Sequence, residues 1–268
     1  MQIFLFINLI FTKNYAILLN ASQYFFNYRH TSNVLTLHKI LKQNGFLKEE
    51  IIHLTCEDVT RDMRNAHIGY FHHTDKKYFK SPKIKTTQFS INTFLNMLRC
   101  NDIRLKDVDE SSNILIYMCG HGGKGYIKFH DREYLLREDL MAGLEALYNR
   151  GVNKILFIFD TCNADSLIDP TRLKKNMLLV ASSKTDELSY SFHYSQLIGP
   201  ALIDNFMLEF YRLAIHADKK TQIVDLLQKM QHIGSTIIWH VYDKKNFLFK
   251  DFFYQSEDEK KLIPFKVE

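Results

Sequence analysis

Ten glycines, four prolines and no Ser- or Gly-rich stretch in 268 residues leave no flexible divider along the chain. One compact domain with a C-terminal extension is expected, since 46% hydrophobic residues suffice for one substantial core. No fixed-period repeat and no low-complexity tract occurs, which excludes solenoids and disordered polar tracts. The four cysteines (Cys56, Cys100, Cys119, Cys162) form no CxxC pair, so the paired local ligands of a zinc site are missing and no metal site is expected. A disulfide framework is not called for in a chain of this length. The charge excess is only +5 and forms no basic stripe with interleaved aromatics, which argues against nucleic acid as a partner. One local cluster, Lys76, Lys77, Lys80, Lys83 and Lys85, reads either as a solvated loop or as a surface facing anionic lipid headgroups or an acidic partner. No apolar run reaches the 18 or so residues of a membrane span. The N-terminal run 3–11 has the length of a short signal-peptide core but lacks a basic n-region and a small-residue cleavage site. Residues 1–12 are thus either a signal peptide or a buried first strand.

What is present is an alternation of two patterns. Short, continuous apolar runs at 13–20, 51–55, 113–119, 154–159 and 177–181 read as buried strands. Between them, apolar residues recur at offsets of three and four: Val34, Leu37, Ile40 and Leu41 in 33–43, ended by Gly45; Ile91, Phe94, Leu95 and Leu98 in 91–100; Leu136, Leu140, Leu144 and Leu147 in 135–149. A further helix is expected over 201–213. Residues 21–30 and the polar, His- and Lys-rich 60–87 read as loops. Such a chain is an α/β protein whose mostly parallel sheet carries helices on both faces. In these sheets chemistry gathers beyond the carboxyl ends of the strands. That edge carries Gly120-His121-Gly122-Gly123, Asp160-Thr161-Cys162 and Ser182-Ser183.

A thiol nucleophile needs a proton acceptor, a group that orients the acceptor, and donors for a developing oxyanion. Cys162 sits where one strand ends and His121 where another does. Gly122 and Gly123 have no side chains to block a substrate backbone. An imidazole beside a thiol favours the thiolate. Cys162 and His121 are therefore the candidate nucleophile and acid–base, whereas Cys119, inside a strand, belongs to the core.

These motifs resemble the legumain-type cysteine peptidases of caspase-like fold, and within them most closely the glycosylphosphatidylinositol (GPI) transamidase subfamily. The resemblance runs in order through Asn14-Tyr15-Ala16-Ile17-Leu18, Phe26-Asn27-Tyr28-Arg29-His30, Asn113-Ile114-Leu115-Ile116-Tyr117-Met118 with Gly120–Gly123, Asp160–Ala164, Ala181-Ser182-Ser183, Ile198-Gly199 and Asp251-Phe252-Phe253. It implies a caspase-like three-layer catalytic domain over 13–250, with a C-terminal tail over 251–268. Asn27 would orient His121. The N–H groups of Gly122 and Cys162 would form the oxyanion hole. Arg29, His30, Ser182 and Ser183 would surround the pocket for the residue before the cleaved bond. The implied substrates are a precursor protein's C-terminal signal and a GPI lipid, the implied partners the other subunits of a lumenal endoplasmic-reticulum complex, and no cofactor is implied.

The chain departs from that subfamily in places. Asn163 stands where Gln is common, and the family's membrane span after the catalytic domain does not precede Glu268. Membrane contact would then fall to partner subunits, or the sequence is truncated. Arg61 stands where relatives carry a cysteine thought to bridge to a partner. The lysine cluster replaces an acidic, calcium-holding stretch, so no such ion is expected. Asn20-Ala21-Ser22 is a glycosylation triplet of a kind expected by chance. A hydrolytic endopeptidase and a non-catalytic subunit of the same fold are the competing readings.

Overall fold

The computed structural model describes residues 12–130 and 132–255. The possible signal peptide over 1–12 therefore lies almost wholly outside the described residues, as does most of the expected tail. The first strand, β1 (Lys13–Asn20), leads into helix α1 (Tyr28–Gln43) and strand β2 (Ile51–Leu54). A hairpin follows, β3 (Tyr70–Thr74) and β4 (Lys77–Lys80), then α2 (Ile91–Leu98) and β5 (Ser112–Cys119). Three short strands, β6 (Gly122–Gly123), β7 (Tyr126–Phe129) and β8 (Glu133–Leu136), make a small antiparallel sheet before α3 (Arg137–Asn149) and β9 (Lys154–Asp160). The remainder comprises β10 (Met177–Ala181), the hairpin β11 (Ser191–Tyr194) and β12 (Ala201–Asp204), α4 (Asn205–Ala214), α5 (Ile223–Gln228), β13 (Ile238–Val241) and α6 (Lys250–Phe253).

The central sheet has the order β13-β10-β9-β5-β1-β2; every pair is parallel except β10 with β13. Successive strand side chains point to opposite faces, and both faces are buried. In β5, Ile114, Ile116 and Met118 enter one core with α2 and α3. Leu115, Tyr117 and Cys119 enter the other, with α1, α4, α5 and the aromatic residues of α6. This is why the strands read as unbroken apolar runs. It makes a three-layer α/β fold. Helix α2 begins with a reciprocal cap, the Ser90 hydroxyl and Thr93 N–H answering Thr93 Oγ1 and Ser90 N–H.

Several expectations are corrected. Helix α1 starts at Tyr28, five residues early, because its first turns bury His30, Thr31, Ser32 and Asn33 in polar contacts that mimic a loop's composition. Residues 60–87 contain the β3–β4 hairpin rather than loop alone. Leu135–Leu136 belong to β8, and 201–204 form a strand before the helix begins at Asn205. Phe252 and Phe253, placed in the expected tail, are fully buried in the core. Asn20 is buried and donates to Thr31 Oγ1 at 3.1 Å, so the glycosylation triplet is closed to modification. Among the described residues, no helix is long and apolar enough to cross a membrane.

Candidate active site

Strands β5 and β9 lie side by side in register, with Cys119 opposite Asp160. The chain leaves both at the same edge of the sheet, so the segments carrying His121 and Cys162 start about 5 Å apart, one inter-strand spacing. They are then tied together. Thr161 Oγ1 donates to Gly120 O at 2.9 Å, and Gly122 lies so close that a Cβ there would meet Thr161 Oγ1 and come within 2.7 Å of Cys162 O. Glycine is required at 122 by this approach of two backbones.

On the far side of His121, its Nε2 lies 2.8 Å from Asn27 Oδ1. The Asn27 amide is fixed by its own donation, Nδ2 to Gln23 O at 2.7 Å, which leaves Oδ1 as acceptor. Nε2 must therefore carry the proton in the neutral ring, and Nδ1 is the basic nitrogen. Asn27 is buried just ahead of α1. His30, one turn on, packs edge-on against His121 at 5.2 Å and bonds Ser22 Oγ at 2.8 Å. Burial, helped by the Arg29 and His121 charges, holds its pKa well below the ordinary histidine value, so it is a neutral support behind the site.

Cys162 is part-exposed, and its Sγ accepts the Ser189 N–H at 3.4 Å. The next residue, Asn163, adopts a left-handed φ of 55° and is clamped by its N–H to Glu187 O and its Oδ1 to the Asp186 N–H. Ser183 donates to Thr161 O at 2.8 Å and accepts the Ala164 N–H at 3.1 Å; Ser182 Oγ meets Ser189 Oγ at 3.3 Å. Both serines are fully buried. They fasten the turn that carries Cys162 from beneath. Burial pushes the Cys56 thiol up to about 11, and raises those of Cys100 and Cys119 as well. All four are free thiols.

Arg29 and His121 line a cavity of about 820 Å³ together with Asn27, the exposed aromatics Tyr24 and Phe26, and Tyr194 opposite. Tyr24 has φ 72° and ψ 150°, a backbone region that is nearly glycine-only and costs roughly 1–3 kcal/mol. Its N–H is pinned by the Glu57 carboxylate and its carbonyl by the Asn27 N–H. That strain holds the Tyr24–Phe26 stack, ring centres 5.8 Å apart, at the cavity mouth.

Two carboxylates lie beneath. Asp204, at the end of β12, pairs with Arg29 Nε at 3.1 Å and accepts Asn33 Nδ2 at 2.6 Å. Asp160 accepts the Tyr117 hydroxyl at 2.6 Å. Burial, and secondly the Asp204 charge, push its carboxyl up to about 7. Asp160 was legible as a carboxylate ending an apolar strand; Asp204 was hidden in a segment read as helix.

An unfolded aspartate titrates near 3.9, so the native state binds the proton more tightly. The stability this confers is full below about pH 4 and is lost as pH rises through about 7. Asp160→Asn, which keeps an acceptor for Tyr117, should gain in melting temperature over the parent progressively from pH 5 to pH 8. Parallel melting curves across that range would refute the assignment.

The model of the peptidase C13 family matches residues 14–258. The chain belongs to the peptidase C13 family. Named relatives of this C13 chain include the GPI-anchor transamidase of Schizosaccharomyces pombe, 36% identical over 81% of this chain and 61% of the relative. That of Saccharomyces cerevisiae is 35% identical over 73% of this chain and 50% of its own length, and that of Homo sapiens 31% over 90% and 66%. The chain thus spans between half and two thirds of these relatives. Among solved structures, caspase-1 from Spodoptera frugiperda superposes with a TM-score of 0.57 over 92% of this chain and 91% of that one, at 12% identity. The C13 chain therefore has the caspase-like fold.

Proposed function

We propose that this C13 chain is a GPI-anchor transamidase catalytic subunit, a cysteine-dependent enzyme with Cys162 as nucleophile and His121 as acid–base. The observation that carries the chemistry is the joining of the two strand-end segments at Gly122 and Thr161, with His121 fixed in one tautomer by Asn27. The substrate class rests on the named relatives.

In the proposed reaction, His121 Nδ1 takes the Cys162 thiol proton and the sulfur attacks a carbonyl near the C-terminus of a precursor protein. The Gly122 and Cys162 N–H groups hold the oxyanion. The C–N bond breaks, and the departing tail amine takes the proton from His121. A thioester remains on Cys162. The ethanolamine amine of a GPI lipid then attacks, losing its proton to His121; an amide forms and the thiol is restored. Arg29, held by Asp204, would face the residue preceding the cleaved bond, with His30, Ser182 and Ser183 supporting the pocket walls from behind. Water competes for the thioester, so the site must favour the amine by position and exclusion. In this reading the chain works in a multi-subunit complex at the lumenal face of the endoplasmic reticulum.

The test uses membranes from cells that lack their own catalytic subunit and express this chain. Given a precursor with a small-residue attachment site and hydrazine, they should yield a hydrazide-ended product. Free acid alone, at all hydrazine concentrations, would make the protein a hydrolytic endopeptidase.

A further inference from the structure

We propose that the β3–β4 hairpin and the segment after it form a docking surface for anionic membrane lipid. The hairpin is two-sided. Strand β3 buries Phe71, His72 and His73 against the body of the domain, whereas in β4 only Phe79 packs, partly buried, against the core. Outward from it stand Lys76, Lys77, Lys80, Lys83 and Lys85, all exposed. None of the five makes an ion pair with a carboxylate among the described residues. Asp75 is the only acidic residue between positions 63 and 101, and its carboxylate is engaged by Ser195 Oγ and the Gln196 N–H.

Like charges are also gathered deliberately. Lys39 Nζ on α1 lies 5.0 Å from the Phe79 ring, and Lys77 Nζ lies 5.2 Å from that of Tyr211, the two rings being 6.0 Å apart. One aromatic pair thus anchors two ammonium groups brought in from different elements. Their mutual repulsion is relieved when an anionic surface lies over both. On the other face of the hairpin Tyr70 and Tyr78 pack edge to face at 5.6 Å, both part-exposed, with the apolar body and polar tip that suit the headgroup level of a bilayer.

The residue type selects the occupant. Protein interfaces favour arginine and are depleted in lysine, and between 76 and 85 every cation is lysine. Flexible, strongly hydrated ammonium groups suit the delocalised charge of a lipid surface better than a shaped acidic partner. This surface is independent of Cys162 and of the proposed reaction.

The full chain is tested by flotation with vesicles of phosphatidylcholine alone and with about 30 mol% phosphatidylserine. The apolar N-terminal run acts on both alike, so the anionic-over-neutral preference is the readout. Each lysine near such a surface strengthens binding roughly fivefold. The parent should prefer anionic vesicles at least tenfold at low salt, and lose the preference in about 0.5 M salt. Replacing the five lysines with Gln should remove it, while replacing them with Arg should keep it; circular dichroism melting confirms both variants fold. No anionic preference in the parent, or an undiminished one in the Gln variant, overturns the proposal. Binding to polyglutamate without binding to vesicles does so in favour of an acidic protein partner.

Discussion

Cys162→Ala should lower amine-dependent product formation by roughly 10⁴-fold or more, the loss that follows removal of a nucleophile that acts as a unit with its base. No neighbouring thiol can take over. Cys119 lies inside β5 with its sulfur toward Leu19 O and His30 O, and burial keeps Cys56, Cys100 and Cys119 protonated. The fold should survive the change. The Cys162 sulfur accepts one long bond, from the Ser189 N–H, and the turn around it is held by Ser183, Glu187 and Asp186 rather than by sulfur. A stability change within about 1 kcal/mol is expected. The decisive pair of readings is product per unit enzyme and the melting curve. A variant that melts like the parent and still forms more than a trace of product would remove Cys162 from the reaction.

Gly122→Ala should cost about 10²-fold in turnover, the effect of misplacing reacting groups by roughly 1 Å. The added carbon would stand 2.7 Å from Cys162 O and closer still to Thr161 Oγ1. Thr161 is tied to Gly120 O and cannot simply rotate away, and the Cys162 carbonyl is backbone. The two segments must part, which separates imidazole from sulfur and turns the Gly122 N–H away from the oxyanion position. Overpacking of this kind costs about 1–3 kcal/mol of stability, small beside the kinetic effect. Gly125, where an added Cβ meets nothing within 4 Å but φ is +79°, provides a comparison. Gly125→Ala pays backbone strain without moving the Cys162 turn, so it should cost stability and leave turnover within a few-fold. Equal losses of turnover in the two variants would mean that the contact at 122 has no special role.

Strands β1, β5, β9 and β10 were readable because burial on both faces makes them continuous apolar runs. From them followed the active edge of the sheet, and with it the placing of His121 and Cys162. The errors share a cause: segments whose side chains serve other residues instead of water or the core. The start of α1 was lost because His30, Thr31, Ser32 and Asn33 are buried polar residues, a pattern that hydrophobic periodicity does not register. The strand 201–204 was lost because Ala201, Leu202 and Ile203 run straight into the apolar face of α4, and no turn residue separates them. With it went Asp204, the partner of Arg29. Ser182 and Ser183 were placed at the right edge by sequence, but only their hydrogen bonds show that they face the Cys162 turn.

The central claim is that the Cys162 sulfur and the His121 imidazole act as one unit in one cleft. It is tested most directly by the pH dependence of Cys162 alkylation by iodoacetamide, followed at the Cys162 peptide in the parent and in His121→Ala. The parent should react at Cys162 ahead of the buried Cys56 and Cys119 and the half-buried Cys100, and its alkylation should set in at lower pH than in the variant, where no imidazole stabilises the thiolate. Superimposable profiles in the two proteins would mean that sulfur and imidazole do not meet.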